Sequence, residues 1–381
     1  MRTLLITCGC LELSKDGIGD YSFNLGKTIS TYTIKVVLVS LNDAYVREFR
    51  EENKDNLAIC RIPRSKKWSE KAHIFKNILE TVSPDHISFQ YVVYAYHEKG
   101  LPWLANRYIV NILKNYETSL MLHEPWIGRS KTDTFPNKII GLLQRRLIYQ
   151  LVRNIAPVKV FTSNNTFHKL LKFYGISNEV LPLFSNIPFT ENAALLFKNE
   201  LKNRNTEITK NQLKIVLFGR IPFRWKISSF AKWLGSTKTT IFTVGRSDQQ
   251  QAVYFKKQIT TINSSICVEI LGEQTSDIIS GILQYADVGL ALTPAEIMEK
   301  SGVVAAYKEH GLPIISAGIN EDFRVLKSEE ITPKNYISLN KPLKEQYLNF
   351  KKKNPYSGVD SVSRQFLEST TTYHFQKAVF I

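Results

Sequence analysis

Two kinds of segment alternate along this chain, and that alternation limits what it can fold into. Runs of consecutive apolar residues, among them TLLITC at 3–8, KVVLVSL at 35–41, LAICRI at 57–62 and HISFQYVVY at 86–94, interleave with stretches whose apolar residues return at helical spacing. A strand with one wet face would alternate apolar and polar residues. A continuous apolar run instead suits a strand buried on both faces, as in a parallel sheet with helices above and below. Helices are expected near 19–31, 69–82 and 102–115, then along NKIIGLLQRRLIYQLVRNI at 137–155. SLMLHE, VKVFTS and EVLPLFS complete this first series.

A second series starts at 213: LKIVLFG, a helix after Lys226, TIFTVG, a helix near 249–262, ICVEILG, a helix near 276–285, VGLALTP, a further helix, and LPIIS. At 381 residues the chain is long for one core and comfortable for two. The expected division is an N-terminal Rossmann-like domain over 1–190, a linker over 191–212 where LFKNELKNRNTEITKNQ is mostly polar, and a C-terminal Rossmann-like domain over 213–360. Residues 361–381 are expected to form a helix that packs back on the first domain. The fold class is therefore α/β, two doubly wound domains facing each other across a cleft.

Composition narrows the setting. The 43% hydrophobic and 22% charged residues are ordinary globular values. Only about five apolar residues follow Arg2, which is short for a signal-peptide core and suits a first buried strand. No run reaches the ~18 residues of a membrane span, so a soluble, cytoplasmic chain is expected. Cys8, Cys10, Cys60 and Cys267 have no metal-site spacing and read as reduced, buried thiols. The net charge of +16 points to an anionic partner, and 134–178 contains no acidic residue at all. The helix within that segment reads either as a surface helix with a solvated basic face or as a peripheral contact with an anionic membrane. Aromatic residues are not concentrated there, so nucleic acid is not expected as a partner.

In doubly wound sheets, ligands bind beyond the carboxyl ends of the strands. In KDGIGDYS, Gly17 and Gly19 bracket a helix start, where amides could approach a phosphate. His123 ends SLMLHE. Gly219 ends a strand and is followed by Arg220, Arg224 and Lys226; Gly245, before Arg246, and Gly272, before Glu273, repeat the strand-then-glycine pattern. Finally, EKSGVVAAYKEHGLP sets Glu299, Ser301 and Gly302 at a helix start.

In this order and spacing, GIGDYS, FTSNNTFHKLLKFYGISNEVLPLFSNI, FGRIPFRWK, EILGEQ and YADVGLALTPAE…EKSGVVAAYKEHGLPIIS resemble the motifs of GT-B glycosyltransferases, within them the large retaining family 4. The resemblance covers most of the chain. It implies that Arg220 and Lys226 contact a donor diphosphate, that Gly272 and Glu273 lie beside the nucleotide base, and that His123 and Glu299 face the transferred sugar. Ser301 and Gly302 would hold phosphate at the helix start, with Gly17, Gly19, Gly219, Gly245 and Arg246 completing the donor site. It implies retaining sugar transfer from a nucleoside diphosphate sugar to a carbohydrate, lipid-linked or protein acceptor, as in polysaccharide, glycolipid or glycoconjugate assembly. No metal and no cofactor beyond the substrate are called for, and no Asp-x-Asp motif is present. Two departures stand out: the Arg220–Lys226 spacing is one residue longer than the family's, and the family's second glutamate falls on Tyr307 or Ala306. A catalytically silent subunit that binds nucleotide or sugar and supports a partner is the alternative.

Overall fold

The computed structural model describes residues 2–204, 211–222, 225–245, 249–333, 335–347 and 351–370. The chain divides into two compact units. Among the described residues, unit 1 holds Arg2–Leu183, Asp322–Glu330 and Val359–Thr370; unit 2 lies within Phe184–Glu321 and Ile331–Gly358.

Unit 1 is built on eight strands: β1 (Thr3–Cys8), β2 (Lys35–Asp43), β3 (Arg50–Lys54), β4 (Leu57–Pro63), β5 (His86–Tyr91), β6 (Thr118–Leu122), β7 (Lys159–Thr162) and β8 (Glu179–Val180). Their order is β3-β4-β2-β1-β5-β6-β7-β8, parallel throughout except for β3 against β4. Every residue of β1, β5 and β6 is buried, as the unbroken apolar runs require. Strand β3 has no apolar signal. Its REENK sequence lies at the sheet edge, where charged side chains discourage pairing with another chain. The helix Gly358–Thr370 closes the unit from the far end of the sequence. Phe366 lies 6.2 Å from the His86 ring and 6.1 Å from Phe161, and the Gln365 amide donates to Val180 O at 2.8 Å.

Unit 2 is a six-stranded, all-parallel sheet of β9 (Leu213–Phe218), β10 (Thr239–Val244), β11 (Ile266–Gly272), β12 (Val288–Ala291), β13 (Ile314–Ser316) and β14 (Ile337–Ser338), in the order β11-β10-β9-β12-β13-β14. Alternate residues of β9 enter different cores: Val216 packs with Phe197, Phe242 and Tyr307, while Ile215 and Leu217 pack with Phe230, Phe255 and Ile259. Two apolar layers on one strand are what its continuous apolar run encodes. The segment 191–212, expected as a linker, instead carries the helix Ala193–Asn203, with Ala193, Phe197 and Leu201 buried. Those three residues recur at a spacing of four, but the polar residues between them mask the stripe. Phe197 meets the rings of Phe242 at 5.4 Å and Tyr285 at 5.6 Å. A second correction concerns the thiols. All four cysteines are free, but Cys267 is exposed because β11 is an edge strand with alternating burial. No described helix is long and apolar enough to cross a membrane.

Glu309 ties together the two ends of unit 2. The helix Gly302–Glu309 brings its buried carboxylate to the amides of Ser185, at 2.5 Å, and Gly358, close to the points where the chain enters and leaves the unit. Burial pushes the Glu309 carboxyl up to about 7, outweighing the two amides that favour its ionised form. A carboxyl that holds its proton more tightly in the folded state adds stability below its ordinary value, and that contribution is lost as pH rises through 7. Wild type should therefore lose stability relative to Glu309→Gln between about pH 5 and pH 8, by about 3 kcal/mol at most. Paired urea titrations measure this, and parallel pH profiles for the two proteins would refute it.

Candidate functional site

A doubly wound sheet reverses direction between two strands whose outgoing connections part to opposite sides, leaving a crevice at their carboxyl ends. In unit 2 those strands are β9 and β12. They pair only through Val288↔Ile215 and Gly289↔Val216 before diverging. Strands β9, β10 and β11 all end on glycines in the left-handed region: Gly219 (φ 95°), Gly245 (φ 109°) and Gly272 (φ 68°). Backbone bonds from Gly219 N to Val244 O and from Gly245 N to Gly272 O, both 2.8 Å, link the three ends in a row. A side chain on Gly219 would meet Val303 at 3.2 Å, which places the start of the helix Gly302–Glu309 directly beside that row. Space around Gly302 is open, and the side chain of Ser301, the N-cap residue, makes no capping bond. Amides of a helix's first turn need an acceptor, and the helix dipole favours an anionic one.

Arg220 is exposed just beyond Gly219. Lys226 is exposed at the N-cap of the helix Ile227–Leu234. Among the described residues no carboxylate pairs with either cation. Glu273 is exposed after Gly272, and Glu299 is half-buried with Lys308 Nζ at 3.4 Å. Arg246, expected in the same row, and Arg224 lie outside the described residues. The structure thus brings Gly219, Gly245, Gly272, Ser301 and Gly302 into one neighbourhood, with Arg220 at its edge.

Tyr307, which stands where the family resemblance expects an acidic residue, does not reach the surface at all. It is fully buried, its hydroxyl inserted between the diverging ends of β9 and β12. The hydroxyl accepts from Phe218 N at 2.9 Å and is placed to donate to Val216 O at 3.1 Å and Leu290 O at 3.2 Å. It takes over hydrogen bonds that the ladder can no longer make once the strands part. The ring lies against β12 at Gly289, where any side chain would collide with it. Ala306, the other candidate for that position, is also fully buried.

In unit 1 the sheet reverses between β1 and β5, and the helix Gly17–Ser30 starts above this point. The expected phosphate site at Gly17 and Gly19 is altered here. Gly19 N donates to the Asp16 carboxylate at 2.7 Å, and Asp20 adds a second acid in the first turn. An amide already satisfied by a carboxylate, with another acid beside it, is a poor phosphate ligand; Gly17 remains in open space. The loop before this helix is held by Asp43, which accepts from Leu11 N at 3.1 Å and from Arg61 Nε at 2.8 Å, while Arg61 also pairs with Glu12 at 2.6 Å. Burial pushes the Asp43 carboxyl up, but the Arg61 guanidinium and the loop amides outweigh it and hold it low.

His123 follows β6 and is buried, its ring edge-on to Tyr21 at 5.0 Å. Its Nε2 lies 2.9 Å from Gln90 Oε1, while the Gln90 amide nitrogen donates to Ser88 Oγ at 2.8 Å. Because Gln90 spends its N–H on Ser88, its oxygen must face a donor, which puts the imidazole proton on Nε2 and leaves Nδ1 as an acceptor. Burial pulls the His123 pKa down to about 4, so the ring is neutral near pH 7. Gln90 and Tyr21 were not singled out in the sequence, although a glutamine inside an otherwise apolar strand is a signal that could have marked the first.

No family model and no curated protein matches the chain. Among solved structures, sucrose-phosphate synthase of Thermosynechococcus elongatus is 13% identical with a TM-score of 0.61, covering 96% of this chain and 97% of its own. A glycosyltransferase of Rickettsia africae is 14% identical at a TM-score of 0.57, with coverages of 100% and 99%. Anabaena HepE, solved with UDP and glucose, is 13% identical at 0.54, with coverages of 100% and 98%. The chain has a GT-B fold. At these identities the likeness establishes architecture, and the chemistry of this GT-B chain has to be argued from its own residues.

Two outcomes are expected. Tyr307→Phe leaves Phe218 N and two carbonyls without their partner and should cost about 1–3 kcal/mol of stability. Tyr307→Glu, which restores the residue type of the family motif, puts an uncompensated carboxylate into a dry seam and should abolish soluble, folded protein; a folded glutamate variant with an unchanged melting midpoint would contradict this placement. The His123 imidazole should titrate with a midpoint near about 4 by NMR, and a midpoint above 6 would show that the ring is not held as described.

Proposed function

We propose that this GT-B chain is a retaining glycosyltransferase that moves a sugar from a nucleoside diphosphate sugar to an acceptor hydroxyl. The observation that carries the reading is the row of left-handed glycines at the ends of β9, β10 and β11, set against the helix start at Ser301–Gly302 with Arg220 at its edge. Amides, a helix dipole and a guanidinium converging on one small area suit a diphosphate, whose negative charge grows as the glycosidic bond breaks. Glu273, at the end of β11, is assigned to the nucleoside, Lys226 to the diphosphate and Glu299 to the sugar. HepE's UDP and glucose, named for that protein, fit the same class of donor.

On the unit 1 side, neutral His123 offers Nδ1 as an acceptor to a sugar hydroxyl, and the acid-capped loop at Gly17–Gly19 suits hydroxyl donors better than phosphate. No side chain is needed as nucleophile in a path where the departing diphosphate itself takes the acceptor proton, and no metal is needed where cations and amides neutralise that group. Arg220 is the residue on which departure depends most.

The place of work is the cytoplasm, with transient contact to an anionic membrane surface through the helix Phe135–Ile155. That helix exposes Phe135, Ile139, Leu142 and Tyr149 together with Arg146 and Arg153. The acceptor is then a carbohydrate, lipid-linked or protein glycan. The alternative, a silent nucleotide-binding subunit, is favoured by the commitment of Tyr307 to the sheet seam, which leaves no second carboxylate on that helix facing a ribose.

A panel of nucleotide sugars incubated with the protein, read by mass spectrometry for released nucleoside diphosphate, should give one positive. Arg220→Ala should then lower the rate about a hundredfold or more. Undiminished turnover in that variant would remove the diphosphate assignment, and binding of nucleoside diphosphate without any turnover would select the silent-subunit reading.

A further inference from the structure

Unit 1 contains a basic cavity that the glycosyl-transfer reading does not use. It has a volume of about 350 Å³ and lies among the loop after β6, the helix Phe135–Ile155, the helix Asn165–Phe173 and the returning segment 322–330. Arg129, Lys138, Arg145 and Arg324 line it together with Trp126 and Tyr174, and no carboxylate does. The acids adjoining the lining segments in sequence are engaged elsewhere: Asp133 accepts from Ser130 N at 2.8 Å, and Asp322 pairs with Lys131 at 3.0 Å. Among the described residues no carboxylate pairs with Lys138, Arg145 or Arg324. Gathering unpaired cations around a concave surface costs electrostatic energy that an anion would relieve.

The aromatic wall of the cavity is held in shape by stacking, and the Arg324 side chain is exposed at its rim. The Arg145 guanidinium is stacked 4.2 Å from the Tyr174 ring centroid, and Tyr174 meets Trp126 edge-on at 5.2 Å. Arg129 donates to Trp126 O at 3.0 Å. The segment carrying Arg324 is fastened by Arg324 N to Arg129 O at 2.9 Å, and by Phe323, which is fully buried. A residue distant in sequence is thus delivered to the rim of a site whose other cations come from 129–145.

We propose that this cavity binds a phosphomonoester, with Lys138, Arg145 and Arg324 meeting the dianion and the Trp126–Tyr174 wall packing against the group that bears it. Guanidinium groups match phosphate oxygens in geometry as well as charge, and a dianion gains more from several fixed cations than chloride or a phosphodiester does. The phosphate is either that of a small soluble sugar or polyol phosphate or that of a lipid headgroup. The proposal does not depend on the chain transferring sugar.

Calorimetric titration with glycerol 3-phosphate, at physiological salt, tests the soluble source. Co-sedimentation with phosphatidylcholine vesicles containing phosphatidic acid tests the lipid source, with phosphatidylglycerol vesicles as the phosphodiester comparison. Saturable binding in either arm, weakened at least about tenfold in Arg145→Gln/Arg324→Gln with an unchanged melting midpoint, supports the site and names its source. Lys138→Gln, a half-buried residue at the cavity rim, is carried alongside as a milder variant should the double variant not fold. Absence of binding in both arms, retention of wild-type affinity in the variants, or equal binding to phosphatidylglycerol vesicles would overturn it.

Discussion

The parting of β9 from β12 governs how the strand ends of unit 2 are arranged. Parallel strands that diverge at a switch point open the crevice a ligand can occupy, and they also strand backbone groups that lose their ladder partners. The chain resolves this with one phenol. Tyr307 reaches up from the helix Gly302–Glu309, serves both strands with its hydroxyl, and lies flat on β12 because residue 289 is glycine. Fixing that helix against the sheet also fixes its first turn beside Gly219, so the helix start at Ser301–Gly302 inherits its position from a buried hydrogen-bond junction.

Unit 1 presents a different chemistry at its own switch point. Acids cap the glycine-rich helix start, an Asp43–Arg61–Glu12 network holds the preceding loop, and a neutral histidine is oriented by glutamine. One unit therefore offers amides and cations, suited to an anion, while the other offers neutral and acidic acceptors suited to hydroxyl groups. The +16 net charge is spent elsewhere, in good part on the helix Phe135–Ile155 and its surroundings. There it produces both a basic, partly apolar face and the open basic cavity completed by Arg324.

Much of the architecture was legible because buried parallel strands write themselves as unbroken apolar runs. The helices 249–262 and 276–285 and the strand 266–272 fall where the sequence places them. What escaped has identifiable causes. REENK carries no apolar signal because an edge strand exposed on both faces needs none. The helix Ala193–Asn203 hides a stripe of three apolar residues among lysines and asparagines. Cys267 looked buried by its neighbours, but on an edge strand alternate residues turn outward. The strand-end glycines were readable, since a left-handed residue after a strand selects glycine.

The sequence by itself determined two parallel α/β series, the glycines that close three strands of the second, and the chain's strong positive charge, because each depends on local pattern or simple count. Only the tertiary structure decided what Tyr307, Glu309 and Arg324 do. Tyr307 could have faced a nucleotide, Glu309 could have been a surface carboxylate, and Arg324 could have belonged to the unit that holds the chain on either side of 322–330. Their roles depend on partners that lie close to them only after folding: Phe218 and Leu290 for Tyr307, Ser185 and Gly358 for Glu309, and Arg129 for Arg324.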